Sequence, residues 1–263
     1  MAASPAVFSP RLHEVQRALA RALPGGHVPA SSAVLETLPP ADPPLIERAR
    51  MLEDAQPMPH AVQAAPAVRF AAFLDGTQRS EVAFYGAAGM PLVLGVVAAV
   101  VRRRVEGRAT TWRHAVWSRM YAPRAAMTDA EWVALAGLGI DVIDTSHDAP
   151  ELADAHPFAI RDGALRQAQR DREQLEQRLA QQWCAETGEL LYVDGGIRGS
   201  DTLARAPQLV GVVKSHRTLY ADAAGRAVIF ALREGERSSA FVIESRTKVP
   251  VLSWYLRLRG SPG

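Results

Sequence analysis

Two short stretches restrict this chain more than anything else in it. In LLYVDGGIRGSDTLARAPQLVGVVK, residues 190–214, an apolar run delivers Asp194 into a glycine pair, and a second apolar run then ends on Lys214. AAFLDGTQRSE, residues 71–81, has the same form, with Asp75 after an apolar run and before Gly76. Short apolar runs bounded by glycine read as buried strands. Two strands that each end in Asp-Gly predict two carboxylates at one edge of a sheet. Carboxylates are hard oxygen ligands for Mg²⁺ or Mn²⁺, and such ions hydrolyse phosphodiesters by neutralising charge and activating water. Asp-Gly is also ordinary turn chemistry, so it is the pairing that carries the reading, not either site alone.

Several function classes are set aside at this level. No uncharged apolar run is long enough for a membrane-spanning helix; Met90 to Val101 runs straight into Arg102, Arg103 and Arg104. The N-terminus has no basic segment followed by an apolar one, so no secretory signal is expected, and a cytoplasmic location is. The single cysteine, Cys184, forbids an internal disulfide and a cysteine-rich zinc site. No HxxxH or HxH pair joins the scattered His114, His147, His156 and His216, and no GxxxxGK[ST] loop occurs. Lysine occurs only as Lys214 and Lys248, so 28 of the 30 basic residues are arginine. Arginine suits bidentate phosphate contacts, although an arginine- and alanine-rich coding bias accounts for most of them.

The expected order begins with a Pro/Ala-rich arm over 1–65. It carries an amphipathic helix at Pro10–Leu23, with Leu12, Val15, Leu19 and Leu23 in phase, and a short helix at Leu45–Leu52. A meander of three strands follows at Val68–Leu74, Glu81–Tyr85 and Leu92–Arg103. Trp112–Met120 is ambiguous between helix and strand. Thr128 with Glu131 starts a helix through a capping box, and Ile140–Ile143 is a short strand. Asp162–Trp183 is the clearest helix. Strands are then expected at Leu190–Val193, Gln208–Val213, Ala227–Leu232, Ser239–Ile243 and Pro250–Leu258.

A third carboxylate is expected from the long helix, where Glu173 and Glu176 are one turn apart; Glu176 is preferred to Glu173. Lys214, at a strand end, and Arg79 and Arg198, just after the two Asp-Gly pairs, are candidates for holding DNA phosphates.

The segments FLDGTQRSE (73–81), RDREQLE (170–176), LYVDGG (191–196), LVGVVKS (209–215) and VLSWYLRL (251–258) together resemble the NurA nuclease family, in the family's order. The resemblance covers Val68 to the C-terminus. It implies an α/β protein with a ribonuclease H-like mixed β-sheet flanked by helices over 66–263, with an insertion around 102–157. It implies an Mn²⁺- (or Mg²⁺-) dependent deoxyribonuclease of 5′–3′ exonuclease and endonuclease type. The partners it implies are DNA, a HerA-type hexameric ATPase in end processing for recombinational repair, and a second copy in a homodimer. Asp75 and Asp194 match the family's metal-binding aspartates, Glu176 (or Glu173) its helical glutamate, and Lys214 the lysine closing its Gly-Val-Val-Lys strand. The family continues past the YLRL strand to a metal-site histidine, and no residue after Leu258 matches it. That leaves a truncated sequence, another histidine in its place, or a catalytically impaired protein of the same fold, binding DNA or an ATPase, and the last is the alternative expectation for function. An actin-like phosphotransferase is a third, although Asp75-Gly76-Thr77 is one residue short of its DxGT.

Overall fold

The computed structural model describes residues 5–31, 34–35, 45–47, 49–63, 68–147, 155–197, 200–214, 218–243 and 249–259, with side chains 5–11 and 88 excepted. In chain order the first elements are α1 (Pro5–Ala22), β1 (Val34–Leu35), β2 (Leu45–Glu47), β3 (Arg50–Met51) and β4 (Pro59–Ala61). Three long strands follow, β5 (Ala72–Tyr85), β6 (Pro91–Val105) and β7 (Arg108–Ala122), then α2 (Asp129–Ala136), β8 (Asp141–Asp144) and α3 (Pro157–Glu186). The last part holds β9 (Leu191–Asp194), α4 (Asp201–Ala204), β10 (Leu209–Val212), β11 (Thr218–Tyr220) and α5 (Ala223–Ala231). It closes with β12 (Glu236–Ser238), β13 (Phe241–Ile243) and β14 (Val251–Ser253).

The protein is α/β, with a mixed central sheet of seven strands in the order β10-β9-β5-β6-β7-β8, and β1 paired to β5. β9 pairs with β5 and with β10 in parallel, and β7 with β8 in parallel, while β1 runs antiparallel to β5. No helix among the described residues is long and apolar enough to cross a membrane.

The chain divides into two compact units. Unit 1 comprises 1–39, 75–102 and 111–179; unit 2 comprises 40–74, 103–110 and 180–263. In unit 1, Leu12, Val15 and Leu19 of α1 and Leu23 just after it are buried together with Phe84 of β5, Leu92 and Leu94 of β6 and Met120 of β7. The expected helical stripe is therefore the packing face, and these residues are part of a core. α2 starts on the expected box: Thr128 Oγ1 accepts from Glu131 N at 3.3 Å and Glu131 Oε2 accepts from Thr128 N at 2.8 Å. On α3, Leu165, Ala168, Leu175, Leu179 and Trp183 are all buried, as its apolar side predicts.

Four expectations about elements need correction, and the ambiguity at Trp112–Met120 is resolved. Asp75-Gly76 does not end a strand: β5 runs through it to Tyr85, so the two expected strands are one. Gly76 is absent from the glycines with positive φ, and a turn of the hairpin kind needs such a residue. Trp112–Met120 lies wholly within β7. Its β-branched and aromatic residues fit a pleated, half-covered surface better than a helix. Leu45–Leu52 is not a helix, because partners distant in sequence claim it: β2 pairs with β11 and β3 with β13. Ala227–Leu232 is not a strand but the body of α5, whose N-cap Asp222 accepts from Gly225 N at 2.9 Å. A good cap and Ala-rich first turn outweigh the β-branched pair Val228-Ile229. The last expected strand is shorter, β14 followed by an isolated bridge from Leu256 to Arg237.

Candidate metal centre

Unit 1 holds Asp75 and the helical glutamate. Asp75 is exposed on β5. Glu176 is on α3 with its carboxylate directly over Gly76: a Cβ there would lie 2.8 Å from its Cδ and closer still to Oε1. Only a glycine leaves that space. Glu176 is largely covered, and burial, more than any other cause, pushes its carboxyl above the ordinary 4.5. Arg172, one turn earlier, is its ion-pair partner and opposes that rise, while the charges of Glu173 and Asp75 add to it. Glu173 is different. Its side chain is 46 % exposed and accepts from Gln169 Nε2 at 3.0 Å. Of the two helical glutamates, Glu176 is the more covered.

α3 is held by a buried polar network that the sequence did not reveal. Asp171, 2 % exposed, accepts from the Tyr121 hydroxyl and from Arg119, each at 2.8 Å, and from Gln167 at 3.2 Å. Burial first, then the Asp171 charge, raises the Tyr121 hydroxyl far above its ordinary range. Arg119 also pairs with Asp141 at 2.8 Å. The RDREQLE segment thus uses its aspartate as an anchor and its last glutamate over the sheet. Arg79, a predicted phosphate contact, bonds Glu81 at 2.8–2.9 Å. Glu81 is 3 % exposed, so Arg79 supplies the counter-charge that a buried carboxylate requires.

Unit 2 holds Asp194 and Lys214. Leu191 and Val193 are buried while Tyr192 and Asp194 face outward, the alternation of a strand covered on one side. β9 and the first residues of β5 are in parallel register, Phe73 beside Tyr192 and Leu74 beside Val193. Asp194 is the next residue after Val193, as Asp75 is the next after Leu74. β9 does end at its Asp-Gly pair, with Gly195 at φ 116°, a conformation that L side chains rarely adopt. The turn then folds onto β10, where a Cβ on Gly211 would lie 2.6 Å from the Gly195 carbonyl. This explains the glycine inside LVGVVK. Lys214 donates to Asp194 Oδ2 at 2.7 Å, with both side chains open to solvent. Arg198 lies outside the described residues, as do His216 and Lys248.

A second group of ligand-type side chains was not anticipated. Glu53, Asp54 and His60 place their donor atoms within 4.8 Å of one another. His60 Nε2 is 2.8 Å from Asp54 Oδ2 and 3.3 Å from Ser239 Oγ. Ser239 is fully buried, which excludes it as a nucleophile for an external substrate. Both Glu53 oxygens accept from Arg237 at 2.7 Å, and Oε2 also from Ala240 N at 3.0 Å. That guanidinium, before the backbone bond, holds the Glu53 carboxyl at about 2. The donor types suit a divalent cation, but Arg237 already occupies the glutamate. The cluster's evident work is to tie the segment after β3 to β12 and β13. Its partners lie about 180 residues apart in sequence, so no local pattern could have announced it. The chain matches no protein-family model and no curated protein sequence.

Proposed function

We propose that the protein is a metal-dependent DNA nuclease with a ribonuclease H-like core, Asp75, Glu176 and Asp194 being its metal ligands. The observation that carries this reading is the state of Glu176. A covered carboxylate set over a bare glycine, with its charged form disfavoured by burial and by the Asp75 charge, is an arrangement that a divalent cation relieves. The residues therefore fit Mn²⁺ or Mg²⁺. The strand order supports the core. β5, β6 and β7 follow one another in sheet and sequence, and β9 and β10 are added in parallel beyond β5. The connection from β5 to β6 spans only 86–90, too short for a parallel crossover, so that pair is antiparallel.

When bound, the ion would polarise the phosphodiester and make a water nucleophilic at neutral pH. The chain's own groups have separate tasks. Arg172 keeps the Glu176 side chain aimed over Gly76. The Asp171 network fixes the turn of α3 that presents it. Lys214, 66 % exposed, exchanges its Asp194 contact for a phosphate oxygen of the DNA backbone. Assistance by a HerA-type hexameric ATPase and assembly as a homodimer belong to the same proposal and rest on the resemblance.

The Lys214–Asp194 contact also favours a second reading, a protein of this fold that binds DNA without cutting it, because the ammonium already neutralises one proposed ligand. One experiment separates the two. Purified protein, Asp75→Asn and Glu176→Gln are incubated with single- and double-stranded DNA and Mn²⁺. Cleavage by the parent chain, lost in both variants, is expected; binding without cleavage by the parent chain would establish the second reading.

A further inference from the structure

Unit 2 carries an aromatic group beside Asp194 that neither the fold nor the proposed metal ligands account for. Phe70, Phe73 and Tyr192 meet with ring centroids 5.4 Å (Phe70–Tyr192), 5.6 Å (Phe73–Tyr192) and 6.4 Å (Phe70–Phe73) apart. A core cluster would be enclosed. Here Phe73 is 39 % exposed, and Phe70 and Tyr192 are half-buried. Strand alternation sends Ala72, Leu74, Leu191 and Val193 inward, and Phe73, Tyr192 and Asp194 to the open side. Asp194 is two residues beyond Tyr192, roughly 7 Å along the strand. That is within one nucleotide's reach of the rings.

The border of this group is cationic. The Arg104 backbone N–H donates to the Ala71 carbonyl at 2.7 Å, next to the rings in the chain. β6 then turns into β7 through Glu106 (φ 49°) and Gly107 (φ 79°), a tight two-residue loop with both residues in the left-handed region. The whole run 104–111 is exposed, Arg104 and Arg108 included. Neither of these arginines makes an ion pair among the described residues. Arg103 between them is committed, to Glu189 at 2.9 Å and to the Trp183 ring.

We infer that Phe70, Phe73 and Tyr192 form a stacking site for the unpaired bases of a nucleic-acid strand, with Arg104 and Arg108 contacting its phosphates. Open rings flanked by uncommitted guanidinium groups are what a single strand requires, since every base offers a π-face and every linkage a charge. In a duplex the faces of the bases are hidden. The inference deepens the nuclease reading by giving its site a substrate form, and it rests on that reading only in taking nucleic acid as the ligand.

The test measures binding alone. Full-length protein is titrated against fluorescein-labelled oligo(dT) and against a labelled duplex of equal length, in EDTA, with anisotropy as readout over a range of salt. Phe73→Leu/Tyr192→Leu is expected to lower oligo(dT) affinity by about tenfold or more, with the salt slope unchanged. Arg104→Gln/Arg108→Gln is expected to flatten that slope by about 1.4, two phosphate contacts at 0.7 each. Phe73→Trp keeps a stacking ring and should bind as the parent does, which covers a leucine variant that folds poorly. Parental affinity in a folded leucine variant, equal affinity for the duplex, or loss of binding in Phe73→Trp would overturn the inference. Because EDTA stops any metal-dependent cleavage, these outcomes are independent of whether the protein cuts DNA.

Discussion

The two Asp-Gly pairs look alike in sequence and are built differently. Asp75-Gly76 lies inside a strand, at an ordinary backbone conformation, and its glycine exists to make room for the Glu176 carboxylate. Asp194-Gly195 ends a strand, and its glycine exists to turn the chain at φ 116°. The helix that carries Glu176 is anchored by the buried Asp171 and Tyr121 and by the partly covered Arg119. The second aspartate is paired, among the described residues, with an exposed lysine. One dipeptide thus answers two demands, space above the sheet and a reversal of the backbone. The contrast shows why motif spacing locates carboxylates better than it explains the residues beside them.

The proposed site requires both aspartates. Asp75→Asn and Asp194→Asn are each expected to reduce Mn²⁺-dependent cleavage by well over the roughly 10- to 100-fold cost of losing a group that merely orients a ligand. Full activity in either variant, measured on a labelled oligonucleotide, would remove that residue from the site. The glycines sharpen the difference in kind. Gly76→Ala is expected to displace Glu176 and cut activity by about 10- to 100-fold, with a small change in thermal stability. Gly195→Ala is expected to do the reverse, destabilising by about 1–2 kcal/mol through its left-handed backbone. Denaturant midpoints and cleavage rates on the same samples decide it.

Two smaller effects follow from charge. Because the Glu176 carboxyl is raised on folding, the folded state binds that proton more tightly than the unfolded chain does. Its protonated form therefore favours folding, and that advantage is lost as pH rises through the raised value. Metal-free Glu176→Gln is accordingly expected to melt higher than the parent at pH 7, the gap closing as pH falls through the raised value and being gone below the ordinary 4.5. A gap that widened toward acid would reverse the electrostatic argument. Lys214→Met, removing an exposed pair, is expected to alter stability by about 0–1 kcal/mol. It should still weaken DNA binding and reduce the salt slope by about one contact.

What was legible in the sequence was local. The α1 stripe, the Thr128–Glu131 box, the apolar side of α3 and the apolar runs of β9 and β10 are all written in neighbouring residues, and each formed as expected, although α3 extends beyond the expected Asp162–Trp183 at both ends. What was not legible depended on remote partners. Leu45–Glu47 reads as helix until Thr218–Tyr220 pairs with it, and Val228-Ile229 reads as strand unless Asp222 caps the helix. The same holds at the sites. Asp194 and Glu176 are candidates suggested by a strand end and by helix spacing, and Asp75 by its apolar run, although β5 continues past it. The claim of Glu81 on Arg79, and of Arg237 on Glu53, arises from burial and from distant pairing, which no spacing encodes.

The bare backbone at Gly76 also binds two positions of the chain into a common history. A side chain can arise at 76 only if the one at 176 retreats or shrinks. Among descendants of this gene, a substituted 76 should therefore travel with a changed 176, and the pair would mark lineages in which helix and sheet meet differently at this point.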